Sequence, residues 1–440
     1  MKYSPAVLVL SLTSLTSISH AAEMKLLPPE SGIYHGIFPD LDETDSPLQV
    51  NRKVREYESQ VGSKAALVTI DNHWFRGIDF PLAKVREIHA MKKIPVVEIM
   101  PWVERRRDIG PDPVFRLERL ISGGFDHDLT QYAYAVQDTQ QPVVLSFAPE
   151  MNGAWYPWSG AYNGANVADQ SGDPNLADGP ELYRDAYRHI IQLFRRHGVQ
   201  NVTWVFHFTA VSRPNESWND PANYYPGDDM VDWVGVSSYS AQQTRDVWED
   251  FTIMMDEAYT TYEQFAPTKP FAVLEFGTIE DPLNPYRKSD WIANALSSMH
   301  SGRYSQLKAM IYWNESSWDQ TTNAYNLRID SSTAALNAYV EGLTGGQLIS
   351  APRLSETQEP GRPTQPTEPS RPGQPTQPEI QCYCGYVNVN GISHCSAWRP
   401  GDKVLKEYRR FNRCDVGVCK AFFSAETQAY CNNKYIPYPG

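Results

Sequence analysis

The sequence predicts an α/β protein built as a (β/α)8 TIM barrel, followed by a proline-rich linker and a small disulfide-rich module. Three observations carry this reading. Eight short apolar runs recur between residues 32 and 314, most of them separated by stretches with helical spacing. The runs are continuous rather than alternating, as strands of a parallel sheet covered on the outside must be. The composition then changes abruptly near residue 351.

In chain order the runs are Gly32–Phe38, Ala65–Asp71, Ile94–Met100, Pro142–Pro149, Asn201–His207, Val231–Tyr239, Lys269–Phe276 and Lys308–Asn314. Helical spacing covers Phe80–Lys92, Glu181–His197, Val247–Phe265 and Trp291–Met299. Eight strand–helix units in this length match a closed barrel. No Gly-rich phosphate turn follows the first run, which removes the usual reason for an open doubly wound sheet. Functional side chains of a barrel gather at the C-terminal ends of its strands. His35, Asp71, Trp102, Glu150, His207, Tyr239, Glu275 and Trp313 are expected there.

Four segments follow from composition. Residues 1–21 read as a signal peptide: Lys2, an apolar stretch from Ala6 to Ile18, then the small-x-small site Ser19-His20-Ala21. Secretion is expected, to the medium or to a periplasm. The barrel domain occupies 22–345, with no later stretch of about 18 uncharged apolar residues that could span a membrane. Between 351 and 380, prolines stand at 360, 363, 366, 369, 372, 375 and 378. That three-residue period suits a stiff polyproline II spacer. Residues 381–440 hold all six cysteines, Cys382, Cys384, Cys395, Cys414, Cys419 and Cys431. In an exported segment these read as three disulfides of unassigned pairing, and their spacing fits no standard zinc pattern. The module carries eight Lys or Arg against four Asp or Glu and is rich in aromatics, so a carbohydrate-binding role is expected.

The net charge of −13 argues against nucleic acid or an anionic membrane as partner. A neutral polymer is compatible with it, and the twelve tryptophans and twenty-five tyrosines supply flat faces on which sugars stack. The histidines show no ligand spacing, and Asp40, Asp42 and Asp45 lack the glycine and terminal glutamate of a calcium loop. No metal or cofactor is called for, and a monomer is expected.

The chemistry rests on two strand ends. Val143-VLSFAPEMNGAWYP-Trp158 delivers Glu150 among Asn152, Gly153, Trp155, Tyr156 and Trp158, and Lys269-PFAVLEF-Gly277 presents Glu275 in the same manner. A carboxyl beside apolar rings has its charged form disfavoured, as a general acid for glycosidic cleavage requires. Two such glutamates suggest a polysaccharide hydrolase.

The strand-four glutamate followed by Asn152, the strand-seven glutamate before Phe276-Gly277, Tyr224-YPGDDMVDWVGVSS-Tyr239, Asn201-VTWVF-His207 and Ile311-YW-Asn314 together resemble glycoside hydrolase family 26 over about residues 32–342. The resemblance implies a retaining barrel glycosidase with Glu150 as acid/base and Glu275 as nucleophile. It makes Tyr239 the tyrosine that orients the nucleophile, and Asn152, Trp155, His207 and Trp313 sugar-contacting positions. Retention needs the two carboxyls about 5–5.5 Å apart. Many mannan-cleaving members carry a histidine before the acid/base and an arginine earlier on that strand, where Pro149 and Ser146 stand here. β-1,3-1,4-Glucan and β-1,4-mannan are therefore expected as substrates in equal measure, ahead of β-1,3-xylan. A non-catalytic polysaccharide-binding or envelope protein is the alternative.

Overall fold

The computed structural model describes residues 24–42, 44–104, 110–316 and 325–355, together with the backbone of four strands between 382 and 437. The expected signal peptide, the proline repeat and the disulfides lie outside the described residues.

Eight parallel strands form the barrel: β1 (Ile33–Phe38), β2 (Leu67–His73), β3 (Ile94–Met100), β4 (Val143–Phe147), β5 (Val202–Thr209), β6 (Trp233–Tyr239), β7 (Phe271–Gly277) and β8 (Leu307–Trp313). Each pairs with the next, and β1 pairs with β8 from Tyr34↔Ala309 to Phe38↔Trp313, closing the sheet. Every strand lies within two residues of its expected bounds at either end. Continuous apolar runs identify such strands because their side chains are buried on both faces.

The helices that cover the barrel are α1 (Pro47–Val61), α2 (Leu82–Ala90), α3 (Asp126–Gln137), α4 (Asp178–Arg196), α5 (Phe251–Phe265), α6 (Arg287–His300) and α7 (Thr333–Thr344). Ser46 opens α1 with a capping box to Gln49, and Gly62 closes it in the left-handed conformation. Between β5 and β6 the connection carries a 3-10 turn, Ser217–Asn219, and the four-residue helix Pro221–Tyr224 in place of a covering helix, so the strand–helix alternation breaks once.

Two apolar layers result. The larger packs the outer faces of the strands against the helices. The smaller fills the barrel interior with Tyr34, Val96, Val144, Val205, Trp233, Leu274, Ile311 and their neighbours. Its floor is plugged by the segment before β1: Leu26 accepts from Trp233 Nε1 at 3.0 Å and donates its N–H to Thr203 Oγ1 at 2.8 Å. Leu26–Leu27 pairs antiparallel with Arg353–Leu354, tying the start of the barrel domain to its end.

His35 departs from expectation. It is fully buried on the outer face of β1, with Nε2 at 2.6 Å from the Tyr57 hydroxyl of α1 and 3.5 Å from that of Tyr339 in α7. It belongs to the strand–helix layer and not to the mouth. Among the described residues no helix is long and apolar enough to cross a membrane.

Residues 362–440 form a separate unit. Its described strands make one small sheet, with Cys382–Val389 antiparallel to Ile392–Trp398 and parallel to Tyr435–Pro437.

Candidate active site

The turn after β4 carries Glu150, and its backbone is strained. Ala148 and Glu150 both take positive φ, 50° and 58°. Non-glycine residues in that region cost roughly 1–3 kcal/mol each and persist only where neighbours hold them. Here Ala148 N–H donates to Ile99 O of β3 at 2.8 Å and Glu150 N–H to His207 O of β5 at 2.9 Å. Both flanking strands therefore fix the turn, and Glu150 stands largely buried at the barrel mouth.

Asn152 supports that turn from beneath. It is fully buried; its Oδ1 accepts from Thr209 N–H at 2.9 Å, and its Nδ2 donates to Thr209 O and Ser212 Oγ. Its amide is thus committed to the β5 end and does not face the cleft. Trp155, partly exposed, donates its indole N–H to Glu150 Oε2 at 2.6 Å. Gly153 permits this, since a Cβ there would lie 2.4 Å from the Trp155 ring. Tyr156 and Trp158, whose rings also follow Glu150 in the sequence, stack on each other at 4.6 Å and meet Trp102 edge-on, mostly buried. These rings hold the loop in place.

Glu275 reaches the mouth through an irregularity in β7. Val236 pairs with Val273, but Ser237 pairs with Glu275, so β7 carries one extra residue there. Leu274 belongs to the barrel interior, and Gly235 leaves room for it: a Cβ at Gly235 would lie 2.3 Å from Leu274 Cδ1. Consecutive residues of a regular strand point to opposite faces. The bulge lets both Leu274 and Glu275 turn inward.

Tyr239, at the end of β6, donates its hydroxyl to Glu275 Oε2 at 2.6 Å. Burial, then the neighbouring charge of Glu275, push the Tyr239 pKa far up, so the phenol remains a donor. Burial raises the Glu275 pKa most, and the charge of Glu150 is next. The hydrogen bond from Tyr239 pulls the other way. Glu150 and Glu275 therefore stand close enough across one mouth to sense each other, as the two strand-end positions require.

His207 and Trp313 sit deeper than expected. His207 is fully buried, with Nε2 at 2.8 Å from Ser237 Oγ and 3.9 Å from Glu275 Oε1; burial lowers its pKa to about 3, so the ring is neutral. Trp313 is largely buried, stacked on Phe38 at 3.9 Å, with its indole N–H on Glu315 Oε2. Asp71 of β2 and Glu98 of β3 also enter the cluster. Both act on Glu275, and the sequence reading did not single out Glu98. Its signal was a charged residue in the middle of an otherwise apolar strand, Ile94-PVVEI-Met100. Glu98, His207 and Glu275 offer three ligand atoms within 4.8 Å of one another, a cluster of metal-binding dimensions. Two of its groups are already engaged, Glu275 by Tyr239 and His207 by Ser237.

Comparison with known proteins places this arrangement. Endoglucanase H of Acetivibrio thermocellus is 25% identical over 296 residues, covering 67% of this chain and 29% of that protein. A mannan endo-1,4-beta-mannosidase of Bacillus subtilis is 27% identical over 205 residues, covering 46% of this chain and 45% of that protein. The chain thus spans less than half the length of either relative. Its fold matches that of the catalytic domain of the Bacillus sp. JAMB-750 GH26 endo-beta-1,4-mannanase with a TM-score of 0.53 at 17% identity, covering 73% of this chain and 87% of the other. The family model described as Glycosyl hydrolase family 26 matches residues 119–267, which span α3 to α5 and include Glu150 and Tyr239. By that match and by these relatives, the chain is similar to glycosyl hydrolase family 26 over this part of the barrel.

Proposed function

We propose that the chain is a retaining endo-β-glycanase that hydrolyses a β-linked polysaccharide. The observation that carries this is the pairing of Glu150 and Glu275 across one barrel mouth, with Tyr239 donating to Glu275 and Trp155 to Glu150. Glu275 attacks the anomeric carbon while Glu150 protonates the departing glycosidic oxygen. Water, deprotonated by Glu150, then releases the sugar from the Glu275 ester. Tyr239 orients the attacking carboxylate. Trp155, the more exposed ring beside Glu150, is the sugar platform of this set, whereas Asn152, His207 and Trp313 shape the site from beneath.

The proposed substrate is β-1,3-1,4-glucan. The alignment to an endoglucanase is longer than that to the mannosidase, 296 against 205 residues. At strand four, Ser146 reaches only His207 Nδ1, at 3.4 Å, and offers no long polar arm to the axial 2-hydroxyl of a mannose. β-1,4-Mannan is the second reading, favoured by the mannosidase relative. The N-terminal segment is proposed to direct secretion, and the C-terminal unit to bind insoluble polysaccharide.

The deciding experiment incubates the full chain with mixed-linkage β-glucan, β-mannan and β-1,3-xylan, sizes the products, and follows the first-formed anomer by proton NMR. Oligomers of mixed length with a β reducing end are expected from the glucan. No cleavage of any of the three, or an α anomer first, overturns the reading.

A further inference from the structure

Glu98 is almost wholly buried on β3, in register with Asp71 of β2 and Ser146 of β4. One of its carboxyl oxygens lies within 4.8 Å of one of Glu275, and a ring nitrogen of His207 is as near to both. Two carboxyl groups can share a hydrogen bond only if one of them carries a proton. Geometry says which. Glu275 Oε2 already accepts the Tyr239 hydroxyl at 2.6 Å, which favours the ionised form of Glu275. Glu98 Oε1, by contrast, is buried with no hydrogen-bond donor. The imidazole of His207, its Nδ1 3.6 Å from Glu98 Oε1, is neutral and cannot balance a charge there. Burial comes first in opposing ionisation of Glu98, followed by the negative charges of Glu275, Asp71 and Glu150. No lysine or arginine stands among these main influences. Ser146 on the adjoining strand supplies no cation either.

We infer that Glu98 is a positioning residue: held neutral, it donates a hydrogen bond to Glu275 and, together with Tyr239, aims and keeps ionised the carboxylate that attacks the sugar. The inference rests on Glu275 being the nucleophile. Glu98 keeps its proton throughout. In the first step the bond from Glu275 to the anomeric carbon forms, the glycosidic bond breaks and Glu150 gives up its proton. In the second, water returns a proton to Glu150. A carboxylic acid does here what a cation would do elsewhere, without adding positive charge to the mouth.

The test compares the full chain with Glu98→Gln, a neutral donor of the same shape, and Glu98→Met, which fills the space without donating. Carboxyl titration of 13Cδ-glutamate-labelled protein by NMR reads the protons directly, and the pH profile of kcat/KM reads their effect. In the unaltered protein one buried glutamate is expected to stay protonated well above the ordinary carboxylate range. Glu98→Gln removes that resonance, leaves the Glu275 midpoint in place and retains most of the turnover. Glu98→Met raises the Glu275 midpoint and the acid limb of kcat/KM together by about one pH unit, with kcat down about tenfold. A lower Glu275 midpoint in Glu98→Gln would mean that Glu98 is ionised. An unmoved midpoint in Glu98→Met would mean that it donates nothing. Either result overturns the inference, and the first still decides if Glu98→Met does not fold. Expected titrations from a protein that hydrolyses no polysaccharide would overturn the nucleophile assignment alone, leaving the proton on Glu98 established.

Discussion

The hydroxyl of Tyr239 donates to Glu275 Oε2 at 2.6 Å, joining the last residue of β6 to the residue that follows the bulge in β7. Hydrogen bonds to a charged group contribute about 1.5–3 kcal/mol. Tyr239→Phe removes this one and leaves the ring in place. Turnover is expected to fall about 10–100-fold with KM little changed, since each 1.36 kcal/mol is tenfold in rate. The acid limb of the pH profile should rise, because a donor that favours ionised Glu275 has gone. Steady-state kinetics from pH 4 to 9 measure both effects, and an unaltered acid limb would contradict the role.

The roles proposed for the two glutamates can be separated by experiment. Glu150→Ala and Glu275→Ala should each lower polymer hydrolysis by several orders of magnitude while polymer binding persists. Their response to azide differs. On aryl glycosides with good leaving groups, Glu150→Ala still forms the glycosyl ester and yields a β-azide, whereas Glu275→Ala yields the α-azide by direct attack. NMR of the azide products tells them apart, and a reversed pattern exchanges the assignments.

The carboxyl cluster also affects stability. Burial raises the pKa of both Glu98 and Glu275 above the ordinary carboxylate range. The folded state therefore holds protons where the unfolded chain has released them, and stability falls as pH rises from about 4 through the raised values. Glu275→Gln cannot ionise. It should raise the melting temperature by a few degrees at pH 8 and by little at pH 4, which calorimetry at the two pH values will measure. An equal change at both would show that Glu275 ionises as freely folded as unfolded.

Lys288 of α6 gives the opposite slope. It is fully buried, and its Nζ donates to Asn326 O at 3.2 Å and Arg328 O at 2.8 Å, in the segment leading to α7. Burial pulls its pKa down to about 7. The unfolded chain keeps the proton that the folded chain loses, so this group adds stability as pH rises from about 7 towards the ordinary lysine value. Lys288→Met should abolish that rise. It also leaves two partly buried carbonyls, Asn326 O and Arg328 O, without the lysine donor, at about 1 kcal/mol or more each. Urea unfolding at pH 7 and pH 9.5 checks both, and a rise that survives in Lys288→Met would assign it to another group.

Much of the barrel was legible from periodicity, because a strand buried on both faces must be apolar throughout and Ile94–Met100 or Phe271–Gly277 can hardly be read otherwise. Glu150 and Glu275 stood out as candidates for the complementary reason: a carboxyl at the end of such a strand is costly unless it is paired or used. Glu98 obeys the same rule one turn of the pattern deeper. It escaped notice because a single acid inside an apolar run reads as an interruption of the strand rather than as part of the site. His35, Asn152, His207 and Trp313 show the converse, since their types suit a sugar cleft while their neighbours bury them.

The sequence by itself determined the eight strands, the covering helices named from their spacing and the two acids, because these depend on residues near one another in the chain. Only the tertiary structure decided which way the side chains point. The extra residue in β7 turns Glu275 inward beside Leu274, and closure of β8 onto β1 brings the strand ends into one ring. Contacts such as Glu98 with Glu275 join residues far apart in the chain, so their geometry follows from strand register and closure, which no local pattern encodes.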